Sequence, residues 1–262
     1  MPNLDQILAG LKSLVEDVGD FIRQESRSFD RSSIQLKGLN DLVSYVDKTA
    51  ENMLVEGLSE LLPEAGFITE EGTASHRDEA YKWIVDPLDG TTNFVHGLPV
   101  YAISIALTFQ EEIVIGIVYE LNRNECFYAS SGEPAYCNDE IIKVSNANSL
   151  SEALLATGFP YHDFDLVKKY LATLDSFMQN THGLRRLGSA AVDLAYVACG
   201  RFEGFFEYNL KPWDVAAGAF IVQQAGGVVT DFKGGHDFIF GKEILAANIV
   251  HNEMLKVIQQ HW

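Results

Sequence analysis

The segment Trp83-Ile84-Val85-Asp86-Pro87-Leu88-Asp89-Gly90-Thr91-Thr92-Asn93-Phe94 holds the residues best placed to do chemistry. An apolar run leads directly into two aspartates three residues apart, and Gly-Thr-Thr follows. Carboxylates at the end of a buried strand are costly unless something cationic neutralises them. Hard divalent cations such as magnesium take oxygen ligands and suit such a pair. Pro87 fixes the turn between the aspartates, and Gly90 permits close backbone approach. A short helix starting at Thr91 would aim its free N–H groups at an anion, so that metal and amides grip one phosphate from two sides. The plainer alternative is that Asp86 and Asp89 only cap a turn and a helix. Two further acidic ends weigh against it. Glu70-Glu71 closes the apolar run Phe67-Ile68-Thr69, and Asp214 follows Trp213 where a helix opens. Three such ends can converge on one metal cluster, with Glu70 the better ligand candidate of its pair.

The same aspartates are poor candidates for a covalent nucleophile. Haloacid dehalogenase-type phosphatases carry two aspartates separated by one residue, whereas Pro87 and Leu88 both intervene here, which changes the orientation of the second carboxylate along a strand. Neither an acid-phosphatase histidine motif nor a CxxxxxR loop is present. Metal-activated water is the nucleophile that remains.

The elements that must position these groups follow from periodicity. Leu4, Ile7, Leu8, Leu11, Leu14, Val15, Val18, Phe21 and Ile22 fall at helical spacing. Asp41 is the expected N-cap of a second helix reaching about Leu62, just before Pro63. Short strands at 67–69, 83–85, 102–109, 113–119 and 126–129 then read as an antiparallel meander on which the two helices pack. After Ser149 the texture changes to alternation: strand 154–159, helix 164–179, a strand, helix 189–199, strand 202–207, helix 213–224 and a strand. Two α/β lobes are expected, residues 1–148 with most of the acidic ends and residues 149–262 with Asp214.

Composition is that of a folded protein, with 47% hydrophobic and 21% charged residues. The formal net charge of −18 makes direct nucleic-acid binding and association with anionic membranes unfavourable. Three cysteines, none in a CxxC pair, give no disulfide framework, and the apolar run around Val100 to Phe109 is too short to span a bilayer. With polar residues interrupting the N-terminal apolar series, a cytoplasmic protein is expected.

Several separated motifs together resemble the inositol monophosphatase family: Lys37-Gly-Leu-Asn-Asp41-Leu-Val, Asp47, Phe67 to Glu71, Trp83 to Phe94, Gly188-Ser-Ala-Ala191, Glu207 and Trp213-Asp214-Val-Ala-Ala-Gly218. The resemblance covers nearly the whole chain. It implies a layered αβαβα sandwich of the inositol monophosphatase / fructose-1,6-bisphosphatase type, a homodimer, magnesium dependence with two or three ions, and lithium sensitivity. It further implies that Glu70, Asp86, the Leu88 carbonyl, Asp89 and Asp214 hold the metals, with a third, weaker ion near Glu70, and that Asp47, Thr91 and Glu70 are catalytic, Thr91, oriented by Asp47, preparing the attacking water on one metal. Asp89, Gly90, Thr91, Gly188, Ser189, Ala190, Glu207 and Asp214 are implied substrate contacts. The implied reaction is hydrolysis of a small phosphorylated polyol, myo-inositol 1-phosphate first. Fructose-1,6-bisphosphate, histidinol phosphate, NADP and 3′-phosphoadenosine 5′-phosphate remain alternatives with the same chemistry. Some bacterial relatives also bind transcription or ribosomal machinery, so an interaction role stands beside the enzymatic one. Departures from the family pattern are Gly38-Leu39 near Lys37 and Asn209 to Pro212 before Trp213. Arg185 and Arg186 are expected to form structural ion pairs, although a reach to substrate or to a dimer partner stays open.

Overall fold

The first helix, α1 (Leu4–Ser26), buries Ile7, Leu11, Val15, Val18 and Ile22 on one stripe, and the Asn3 side chain caps it by accepting the amides of Asp5 and Gln6. These positions come from a computed structural model that describes residues 2–29, 35–38, 41–74, 79–160 and 164–262, with backbone only at 35–38 and 41–43. The Lys37 side chain lies outside the described residues.

The second helix, α2 (Tyr45–Leu61), starts later than the sequence suggests. Asp41 is not its N-cap. The backbone of Asp41–Val43 is a strand, β2, paired antiparallel with β1 (Gln35–Gly38). Ser44 caps the helix instead. The Val46 amide donates to its hydroxyl, and its own amide donates to Asp47 Oδ2 at 2.8 Å. That reciprocal Ser-x-x-Asp box satisfies two orphan groups, which a lone aspartate three residues upstream cannot do.

Seven strands form the first sheet in chain order: β3 (Gly66–Thr69), β4 (Tyr81–Asp89), β5 (Ala102–Phe109), β6 (Glu112–Glu120), β7 (Glu125–Ser130), β8 (Tyr136–Cys137) and β9 (Glu140–Ile141). From β4 onward the pairing is the expected antiparallel meander, but β3 runs parallel to β4. A short helix, α3 (Thr91–His96), sits between β4 and β5.

The second sheet has the order β11-β10-β12-β14-β13, from β10 (Leu154–Thr157), β11 (Gly183–Arg185), β12 (Gly204–Tyr208), β13 (Val228–Thr230) and β14 (Glu243–Ala247). Helices α4 (Val167–Asn180), α5 (Ala190–Ala198), α6 (Pro212–Gln224) and α7 (His251–His261) alternate with these strands. The crossovers that contain α4 and α5 leave β11 and β12 both parallel to β10.

Strand alternation sorts side chains into three cores. Trp83 and Val85 face α1 and α2, whereas Ile84 faces a middle layer. That layer is α5 and α6, sandwiched between both sheets and rich in small residues, where Phe205 of β12 also packs. Phe206 points the other way and joins Tyr170, Phe177 and Met254 beneath α4 and α7. The result is an αβαβα sandwich. Among the described residues no helix is long and apolar enough to cross a membrane.

Candidate active site

Ladder pairing between β4 and β5 breaks between Asp86 and Asp89, and the resulting irregularity turns both carboxylates to one place. The Leu88 amide donates to Asp86 Oδ1 at 2.9 Å, which closes a tight turn around Pro87. Asp214 arrives from another layer, at the third position of α6, where its Oδ2 accepts the Lys211 amide at 2.7 Å. One carboxylate oxygen each from Asp86, Asp89 and Asp214 lies within 4.8 Å of the others. Glu70 follows β3, and its amide donates to the Val85 carbonyl at 3.2 Å. That pairing sets Glu70 beside the cluster.

Electrostatics show how crowded these groups are. Burial pushes the Asp86 carboxyl well above the usual carboxylate range, and the charges of Glu70, Asp89 and Asp214 push it further. Asp214 is raised by burial, then by Asp89 and Glu70, with the Lys211 amide opposing. Burial lifts Asp89 to about 6, against the stabilising bonds from the Ser189 hydroxyl and Ala191 amide and the nearby Arg186 charge. An all-oxygen donor set held together against its own repulsion is what a hard divalent cation compensates.

Beside the cluster, Asp47 is 1% exposed on α2. The Thr91 hydroxyl lies 2.9 Å from Asp47 Oδ1 and 3.1 Å from the Leu88 carbonyl. The Ser44 hydroxyl donates to Asp47 Oδ2 at 2.6 Å, so the capping box that starts α2 also orients this carboxylate. Gly90, the N-cap of α3, has φ 99°, and a Cβ there would meet the Val100 carbonyl at 3.0 Å and the Gly188 carbonyl at 3.3 Å. Only glycine fits that crossing.

A cavity opens next to the carboxylates, lined by Asp89, Gly158, Arg186, Gly188, Ser189, Ala190, Asp193, Glu207, Leu210 and Asp214. The Ser189 hydroxyl donates to Asp89 Oδ2 at 2.6 Å and the Ala191 amide to the same oxygen at 2.7 Å, tying the start of α5 to the end of β4. Glu207 is 7% exposed, and burial raises its carboxyl well above the ordinary range, with Asp214 and Asp89 adding to this and Arg186 opposing.

The structure therefore brings Asp86, Asp89 and Asp214 into one cluster with Glu70 alongside, links Thr91 to Asp47 and Leu88, and gathers Gly188, Ser189, Ala190 and Glu207 around the cavity. Arg185 and Arg186 are both exposed; Arg186 lines that cavity, whereas Arg185 donates to the Leu184 carbonyl at 3.0 Å. Sequence reasoning missed Asp193, Gly158 and Glu51. Asp193 lies three residues after Ala190 on the same helix face, and Glu51 lies one turn after Asp47 in the apolar register of α2. Glu51, 0% exposed, accepts the Glu71 amide at 2.7 Å, the Thr73 amide at 2.9 Å and the Thr73 hydroxyl at 2.7 Å. It thereby clamps the loop that carries Glu70.

A protein of Neisseria meningitidis serogroup B named "Putative Nus factor SuhB" is 47% identical, covering 93% of this chain and 94% of its own. An "Inositol-1-monophosphatase" of Mesorhizobium japonicum is 40% identical, covering 91% of each chain. The crystal structure of the extragenic suppressor protein suhB from Bartonella henselae superposes with a TM-score of 0.92 at 38% identity, over 98% of this chain and 99% of the other. The sequence model of the inositol monophosphatase family matches residues 3–262, and the chain belongs to that family.

Proposed function

We propose that the chain is a magnesium-dependent phosphatase that hydrolyses an inositol monophosphate, myo-inositol 1-phosphate in the first instance. The observation that carries this reading is the convergence of Asp86, Asp89 and Asp214 beside a cavity that Glu207 lines. Membership of a metal-dependent phosphatase family supports the same chemistry.

In this reading Glu70, Asp86, the Leu88 carbonyl, Asp89 and Asp214 hold the cations. Divalent cations, when bound there, would supply Lewis-acid charge to the reaction. The protein's own groups do the rest. Asp47 accepts the Thr91 hydroxyl proton, which leaves the Thr91 oxygen lone pairs directed at the attacking water and gives that water a route for its proton. Gly90 and Thr91, at the start of α3, present amides to the phosphate, and Ser189 and Ala191 hold Asp89 in place. Gly188, Ser189, Ala190 and Glu207 receive the polyol.

The test is phosphate release from myo-inositol 1-phosphate, fructose-1,6-bisphosphate, histidinol phosphate, NADP and 3′-phosphoadenosine 5′-phosphate, each with magnesium and with chelator. A magnesium-dependent preference for the inositol ester is expected. Preference for another ester would keep the mechanism and move the substrate; no release from any of them would overturn the inositol phosphate assignment and leave an ester outside the panel or the partner-binding role.

A second reading rests on the relatives named Nus factor. We propose a partner-binding role in transcription or ribosome assembly that coexists with catalysis, exerted through protein contacts given the −18 charge. An Asp86→Asn variant that lacks turnover yet supports the cellular phenotype would separate the two roles. A homodimer, a cytoplasmic location and the division into lobes 1–148 and 149–262 belong to the same proposal, with sedimentation as the check on the dimer.

A further inference from the structure

Asp193 is a buried carboxylate that none of the chemistry above uses. It is 1% exposed, on a helix whose neighbouring positions are Ala190, Ala191, Val192, Leu194 and Ala195, all buried. Among the described residues, the buried side-chain atoms without a hydrogen-bond partner are Thr69 Oγ1, Glu79 Oε2, Trp83 Nε1 and Asp193 Oδ1, and of these residues Asp193 lines the cavity beside the acidic cluster. An unpartnered polar atom loses its hydration and gains nothing in return, so its retention needs a reason. Helix position is not enough of one. Asp193 lies in the first turn of α5, but the helix-dipole gain for an acid there is smaller than the loss from an unpaired buried oxygen. Arg186 is also not reserved for it, because the same cation acts on Asp89 and Glu207.

The cavity's donor–acceptor balance suggests what the atom is for. Asp89, Asp193, Glu207 and Asp214 line it, and Arg186 is the single cation among the lining residues. Such a wall offers its ligand hydrogen-bond acceptors. A polyol carries several O–H donors close together; an aryl group carries none. We infer that Asp193 is a specificity-determining residue whose Oδ1 binds a hydroxyl of the polyol part of a monophosphate ester, in the cavity where Glu207 binds another. The inference rests on the phosphatase reading and adds the substrate feature being read: adjacent hydroxyls on the body of the ester.

The experiment measures kcat/KM for myo-inositol 1-phosphate and for phenyl phosphate with magnesium, in the wild type, Asp193→Ala and Asp193→Asn. The ratio of the two constants should fall about tenfold or more in Asp193→Ala, mainly through KM for the inositol ester. Asp193→Asn, which keeps a side-chain oxygen, should hold the ratio within about threefold. Thermal melting without substrate adds a readout that a structural role would move the other way. Asp193→Ala should melt no lower than the wild type if the carboxylate is reserved for substrate. A parallel fall for both substrates, an unchanged ratio in Asp193→Ala, or a lowered melting temperature would each overturn the inference. Wild-type protein that cleaves phenyl phosphate but prefers no polyol ester would remove the substrate assignment on which it rests. Wild-type preference with an indifferent Asp193 would remove this inference alone.

Discussion

Replacing Asp86 with asparagine should stabilise the protein when metal is withheld and make it indifferent to metal when it is supplied. One carboxylate oxygen from each of Asp86, Asp89 and Asp214 lies within 4.8 Å of the other two. At an effective dielectric near 20, two charges at that separation repel by about 3.5 kcal/mol, and Asp86 takes part in two such pairs. Protonation relieves part of this, and the partial solvent contact of Asp89 and Asp214 screens more. A net gain of about 2 kcal/mol is therefore expected for Asp86→Asn in chelator at pH 8, which for a chain of this size is about 4–8 °C. The asparagine keeps an oxygen to accept the Leu88 amide, so the turn survives.

The pH dependence carries its own sign. Asp89 is raised to about 6, and Asp86 and Asp214 are raised well above the usual range. Groups whose folded pKa is raised contribute stability below the unfolded value near 4, and lose it as pH rises through the folded value. The gain from Asp86→Asn should accordingly shrink between pH 8 and pH 5.5. Scanning calorimetry of both proteins at the two pH values, with chelator and with magnesium, measures all of this. Magnesium should raise the wild-type melting temperature and barely move the variant, and turnover by the variant should be lost. A variant that melts lower than the wild type in chelator at pH 8, or that magnesium stabilises equally, would refute the cluster as a metal site.

Thr91→Val keeps the shape and removes the hydroxyl between Asp47 and Leu88; kcat should drop about 10²–10³-fold, with Asp47→Asn similar and the double variant no worse than either, read by steady-state kinetics. Gly158→Ala would drive a Cβ into the Glu207 carboxylate. The displaced carboxylate should raise KM for an inositol ester about tenfold while leaving phenyl phosphate less affected. Glu51→Gln leaves one donor of the Glu71–Thr73 loop facing an NH2 group, for a loss of about 1–2 kcal/mol by denaturant unfolding. In the same variant a magnesium titration of activity should shift to severalfold higher concentration.

The groups legible in the sequence are those whose local context is unusual. Asp86 and Asp89 at the end of an apolar run, and Asp214 at the start of a helix, stand out because carboxylates rarely end buried elements without a reason. The same holds for helix α3 after Gly90, whose glycine is demanded by a backbone crossing. What failed to show depends on tertiary placement. Asp41 looks like a helix cap on type alone, yet Ser44 with Asp47 three residues on satisfies more groups. Asp193 in an alanine-rich helix reads as ordinary small-residue packing until the cavity beside it is seen. Glu51 was readable in principle, because it falls in the register of Val46, Ala50, Leu54 and Leu58 on the buried face of α2. A carboxylate in that register must be paired, but the sequence does not say with what.

Two features of the topology explain why acids so distant in sequence meet. Because β3 is parallel to β4, in the register Thr69 to Val85, the residue that follows β3 emerges next to Asp86. Antiparallel pairing of the same strands would have carried Glu70 toward the Tyr81 end of β4, five residues away, or about 16 Å at strand rise. The third acid is fixed from the middle layer. Ser104 of β5 pairs with Asp86 in the ladder, and its buried hydroxyl donates to the Trp213 carbonyl at 3.0 Å. One residue thus sets the first strand aspartate and the residue before Asp214 side by side, across the boundary between sheet and helix. An acidic cluster assembled this way depends on the packing of α6 against β4 and β5, where the small residues Ala216, Ala217 and Ala219 are buried. Gly218 belongs to the same layer: a Cβ there would fall 2.6 Å from Leu194 Cβ, so this glycine sets how closely α6, the helix that carries Asp214, packs on α5.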